Sequence, residues 1–169
     1  AMLIGSERMD ASGGGVRQRE MLVALTKLTP SVPEAQAIAA QLDGVNADEK
    51  YAEGLAALRR GDAVAALPPL RAAVELDPQN FLAHLQLGDA LLALNQPAAA
   101  AEAYRQALAL QPDVPEARVA FAEALLKSNR FKEAEKTLRE GLARSPDSAE
   151  LNLTLAILLE ATGKPTEAG

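Results

Sequence analysis

Residues 81–114 read FLAHLQLGDALLALNQPAAAAEAYRQALALQPDV. An Ala- and Leu-rich half runs from Phe81 to Leu94 and breaks at Asn95; a second half runs from Pro97 to Leu110 and closes at Pro112. A step of 34 residues in either direction brings the pattern back. Gly88 falls in register with Gly54, Ala122 and Ala156, and Ala100 with Ala66, Ala134 and Ala168. Asn95 matches Gly61, Asn129 and Gly163; Pro112 matches Pro78 and Pro146. A period of this length marks stacked supersecondary units. One unit cannot bury its own faces, so neighbours must share a continuous core.

Composition sharpens the reading. Apolar residues make up 49% of the 169, but aromatics only 3%. Alanine and leucine favour helix over strand, and alanine lets helices approach closely. The net charge of −6 argues against a nucleic-acid backbone as partner. No stretch reaches the roughly 20 apolar residues of a membrane span. With no cysteine, disulfides and thiolate metal sites are excluded, which suits a soluble protein of either cytoplasm or periplasm. The opening AMLIGS is too short for a secretory leader and lacks a basic lead, so it reads as the start of a fragment.

Taken in order, residues 1–15 hold no period, and Ala11–Gly15 (ASGGG) reads as a flexible linker. Residues 16–46 are predicted to form a helical hairpin that caps the repeats. Its first arm is Val16 to Lys27; its second runs from Pro33 to Leu42 and stops at Gly44. Repeats follow at 47–80, 81–114 and 115–148, with a partial unit at 149–169. In the first repeat Pro68 and Pro69 interrupt the second helix, predicting a kink or a start delayed to Pro68. Glycine or alanine at 54, 88 and 122 is expected to let the second helix approach, and alanine at 66, 100 and 134 to do the same from that helix. Leu87, Leu91 and Tyr104, then Phe121, Leu125 and Leu138, fill the space around them.

The columns Leu87-Gly88, Leu91, Ala100, Tyr104, Ala107 and Pro112 resemble the tetratricopeptide repeat, a 34-residue helix–turn–helix unit. The resemblance covers roughly residues 47–169; it is clearest in the second repeat. It weakens in the first, where Lys50 and Glu53 replace apolar seam residues. It implies an all-α, right-handed α-solenoid of antiparallel helix pairs, about three and a half repeats behind the N-terminal pair. It also implies a concave groove lined by the first helix of each pair. Carried over by column, that face holds Tyr51, Leu55, Leu58 and Arg59, then Leu82, Leu85, Asp89 and Leu92. The third repeat adds Val119, Glu123, Leu126 and Lys127; the last adds Leu153, Ile157 and Glu160. Leucines on a groove wall form an exposed patch of the kind that meets a partner. Asp89 and Glu123 lie one repeat apart and form an acidic ridge on that apolar floor. The expected partner is a protein or peptide segment, amphipathic with basic residues. Some members of the family clamp a C-terminal carboxylate with Lys, Arg and Asn. Here those columns carry Tyr51, Leu55, Gln86, Asp89 and Ala120, so a chaperone-tail ligand is not expected.

No enzyme site is expected, and no cofactor or metal. His84 is the single histidine, and without carboxylate or thiolate neighbours it reads as a packing residue. Ser12 beside three glycines lacks the Lys-Ser/Thr of a phosphate loop. Lys132, Glu133, Lys136 and Glu140 read as a solvated helix face. The last helix is apolar on nearly every side, which predicts end-to-end self-association through Leu151, Leu155 and Leu158. Two other functions fit the same sequence: the accessory repeat region of a larger enzyme or assembly complex, and a self-associating scaffold.

Overall fold

The computed structural model describes residue 24 and residues 33–163. The chain divides into two compact units, Ala1–Asn46 and Ala47–Gly169. Residues 33–163 form seven α-helices and no strand. They are α1 Pro33–Arg59, α2 Ala63–Leu76, α3 Phe81–Ala93, α4 Pro97–Leu110, α5 Pro115–Lys127, α6 Phe131–Arg144 and α7 Ala149–Ala161. From α2 onward each helix packs on the next, and α7 also packs on α5. The architecture is an all-α solenoid.

The turns show why the period works. Each first helix ends in a residue with positive φ: Gly61 (76°), Asn95 (56°), Asn129 (59°) and Gly163 (68°). Only glycine and, at some cost, asparagine take this conformation readily. At the first three, the following N–H reaches back five residues: Asp62 to the Ala57 carbonyl (3.0 Å), Gln96 to Leu91 (2.9 Å) and Arg130 to Leu125 (2.8 Å). This bond gives a carbonyl of the helix's last turn a partner from beyond the helix end. Side chains cap three of the helix starts: Asp62 accepts from the Ala65 N–H, Asn80 from Ala83 and Ser148 from Leu151.

The seam is as narrow as the small residues require. A Cβ on Gly88 would stand 2.5 Å from Tyr104 Cε1, and one on Gly54 would stand 2.5 Å from Leu70 Cγ. Ala66, Ala100, Ala122 and Ala134 are fully buried, as are Leu70, Leu125 and Leu138, with Leu87, Leu91 and Phe121 nearly so. Each buried leucine contributes about 1.5–3 kcal/mol. Arg105 and Arg130 reach Glu102 and Glu133, joining α4 to α6. These partly exposed pairs contribute little to stability, and their geometry mainly fixes register.

Two expectations need correction. The predicted stop at Gly44 does not occur, because α1 continues unbroken from Pro33 to Arg59. Glycine inside a helix costs about 1 kcal/mol relative to alanine. That ends a helix only where the chain also turns left-handed, as at Gly61. The predicted first arm, Val16 to Lys27, lies outside the described residues apart from Ala24. Nor is the start of α2 delayed to Pro68: the helix begins at Ala63 with both prolines inside it. Asp62 holds its first turn through the Ala65 N–H at 2.9 Å, and burial of Ala66, Pro69 and Leu70 holds the rest.

Candidate protein-binding groove

On α1, α3, α5 and α7 the predicted groove residues recur at i, i+4 and i+7, which places them on one face of each helix. One column holds Tyr51, Leu85, Val119 and Leu153; the next holds Leu55, Asp89, Glu123 and Ile157; the third holds Leu58, Leu92, Leu126 and Glu160. None of these is fully buried. Tyr51, Leu58, Leu85, Leu92, Val119 and Leu126 rest with one side on the core, and Leu55 is half-buried. Leu82, Leu153 and Ile157 are 49%, 63% and 53% exposed. Glu123, Lys127, Arg59 and Glu160 are exposed as well.

Asp89 differs from its neighbours. It is half-buried, and its Oδ1 accepts a hydrogen bond from the Tyr104 hydroxyl at 2.7 Å. Burial makes its proton harder to remove than that of an ordinary aspartate, although the Tyr104 bond works in the other direction. Tyr104 is pushed well above its usual range, first by burial and then by the Asp89 carboxylate, with Glu123 adding to it. Asp89 is therefore also the acceptor of a buried hydroxyl, a role its column position did not reveal.

The end of the solenoid also departs from expectation. Leu151 and Leu158 are fully buried, and Leu155 rests on the core, so they do not offer the predicted self-association face. Leu151 is drawn in where α6 has no side chain: a Cβ on Gly141 would stand 3.0 Å from Leu151 Cδ1. The large apolar side chains that α7 leaves exposed are Leu153 and Ile157, both in groove columns.

His84 is tied to the backbone. Its Nε2 lies 3.1 Å from the Pro78 carbonyl, and Arg118 and Asn152, one and two repeats on, bond the carbonyls of Pro112 and Pro146. Arg118 is 8% exposed and passes beside Gly141, where a Cβ would stand 2.5 Å from its Cδ. Among the described residues no His, Asp or Glu side chains gather in a group of three able to hold a metal, and no helix is long and apolar enough to cross a membrane.

Two tetratricopeptide-repeat models match the chain, one over residues 51–115 and one over residues 91–147, so that together they span more than half of it. No curated protein sequence matches it. Many solved structures share the fold. MamA is 20% identical with a TM-score of 0.66, covering 72% of this chain and 66% of that one. The second repeat domain of human RPAP3, solved with the HSP70 peptide SGPTIEEVD, is 16% identical with a TM-score of 0.61, covering 71% and 98%. An O-GlcNAc transferase from Thermobaculum terrenum is 22% identical with a TM-score of 0.58, covering 69% of this chain and 22% of that one. With these matches over its 34-residue repeats, the chain belongs to the tetratricopeptide-repeat family.

Proposed function

We propose that the chain is a non-enzymatic protein-interaction module that holds a peptide or protein segment along the first-helix face of its repeats. The observation that carries this reading is the exposure of Leu82, Leu153 and Ile157 on the face that Leu85, Leu92, Val119 and Leu126 only half hide. Apolar side chains left in water beside a larger apolar floor are stabilised by a partner that covers them. Among proteins of this fold, the human RPAP3 domain was solved with an HSP70 peptide, which makes peptide binding a natural use of the fold. The bound segment here differs in chemistry, because the clamp columns carry Tyr51, Leu55, Gln86, Asp89 and Ala120 in place of cations. An apolar segment bearing lysine or arginine complements Asp89 and Glu123.

A displayed peptide library panned against the protein tests this. Leu82→Glu combined with Leu153→Glu should abolish enrichment while helix content is unchanged. Equal enrichment by the double variant would move binding to another surface. Light scattering on the same samples separates capture of a segment from self-association.

A further inference from the structure

Tyr104 is the largest fully buried side chain among the described residues, yet its hydroxyl serves the groove face. The ring fills the space left by Gly88, and the hydroxyl donates to Asp89 at 2.7 Å. The neighbouring repeats solve the same seam without a hydroxyl: Gly54 sits with Leu70, and Ala122 shares a repeat with Leu138, both leucines fully buried. The acceptor's column reads Leu55, Asp89, Glu123 and Ile157. Only the second repeat pairs a buried hydroxyl with a groove carboxylate; Glu123 has a leucine in the corresponding place and stays exposed.

Stability alone does not ask for this pair. An all-apolar seam packs as well in two of three repeats, and a half-buried carboxylate costs desolvation. What the pair supplies is a fixed anion. A carboxylate accepts about four hydrogen bonds, so the one from Tyr104 leaves room for a cation. A side chain already held in place loses little freedom on binding.

We infer that Tyr104 is the positioning residue of the groove: it holds the Asp89 carboxylate where a lysine or arginine of the bound segment is received, with Leu55 seating an apolar residue on one side and Ile157 another beyond Glu123. The inference rests on the groove reading above and names the chemistry of its occupant.

The test uses three fluorescein-labelled peptides that share one leucine-rich frame and differ at a central lysine, norleucine or glutamate, with anisotropy as the readout. The wild type should prefer lysine over norleucine roughly tenfold, the scale of one hydrogen bond to a charged group. Tyr104→Phe keeps the packing and should remove most of that preference while the norleucine peptide binds as before. Asp89→Asn leaves Tyr104 an acceptor and should lower the preference at least as far as Tyr104→Phe, to what Glu123 alone supplies. Gly88→Ala with Tyr104→Leu, which copies the third repeat, is a second route to a seam without a hydroxyl and should match Tyr104→Phe. A folded Tyr104→Phe with the full lysine preference would overturn the inference. A wild type that binds all three peptides equally would also overturn it but spare the groove reading; binding of none of the three would end both.

Discussion

His84 Nε2 donates a hydrogen bond to the Pro78 carbonyl at 3.1 Å, across the turn where the first repeat passes into the second. A carbonyl can only accept, so this contact sets the proton on Nε2. Arg118 does the same for Pro112 at 2.7 Å, and Asn152 for Pro146 at 3.2 Å. The three side chains share one column and no chemical class beyond an N–H that reaches six residues back. Each ties the closing turn of one repeat to the first helix of the next.

His84→Ala should therefore cost about 0.5–1.5 kcal/mol, the usual net worth of one such bond. His84→Asn should recover much of it, since asparagine already performs this role at Asn152. Arg118→Ala should cost more than His84→Ala, because it also empties the buried space beside Gly141. Urea unfolding of the three variants measures the order. Equal stability of wild type and His84→Ala would show that the contact is incidental.

The seam predicts a compensating pair. Gly88→Ala places a methyl 2.5 Å from the Tyr104 ring, and such overpacking costs about 1–3 kcal/mol even against alanine's better helix propensity. The third repeat shows the remedy, with Ala122 and Leu138 in the two columns. Gly88→Ala should thus be much less harmful in a Tyr104→Leu background. A double-mutant cycle by thermal melting should give a coupling of about 1 kcal/mol or more; simple additivity would mean that ring and glycine do not meet as described.

Much of this geometry was legible before any coordinate. The register of Gly54, Gly88 and Ala122 announced a close seam, and that of Gly61, Asn95 and Asn129 announced where the first helices end, which the structure makes by left-handed turns. Small residues and positive-φ turns have few chemical substitutes, so their columns stay readable. The proline clip was hidden because histidine, arginine and asparagine do not look alike, although a donor reaching a carbonyl needs only one N–H. Asp89 read as a surface acid because its partner, Tyr104, lies 15 residues away on the other helix of the pair. Leu151 looked like part of a sticky end because its burial rests on the missing side chain of Gly141, where the two preceding repeats carry Ala73 and Ala107, a difference of one methyl within a small-residue column.

Gly61 isolates the backbone contribution. A Cβ there would meet nothing within 4 Å, but φ is 76°. Gly61→Ala should therefore cost about 1–2 kcal/mol purely through the left-handed conformation. Asn95→Gly and Asn129→Gly should stabilise by a few tenths of a kcal/mol, since they relieve the same strain. A neutral Gly61→Ala in equilibrium unfolding would show that the turn relaxes freely.

The Tyr104–Asp89 pair makes stability depend on pH in two windows, with the same sign in each. Both groups hold their protons more tightly when folded than their ordinary values, and burial is the leading cause for each. A group whose folded pKa is raised leaves stability unchanged below its unfolded pKa and lowers it as pH climbs from there toward the folded one. For Asp89 the decline starts just below pH 4 and ends at its raised value, so Asp89→Asn should gain on wild type across that interval. For Tyr104 the decline starts near pH 10, where wild type should lose up to about 1.4 kcal/mol per pH unit relative to Tyr104→Phe. Below pH 9 the same variant should be the less stable of the two by about 0.5–1.5 kcal/mol, the value of the lost hydrogen bond. The two melting curves are therefore expected to approach and then cross as the solution becomes alkaline. Parallel curves from pH 8 to 11 would mean that the hydroxyl ionises as freely in the fold as in the unfolded chain, contrary to its burial beneath Asp89.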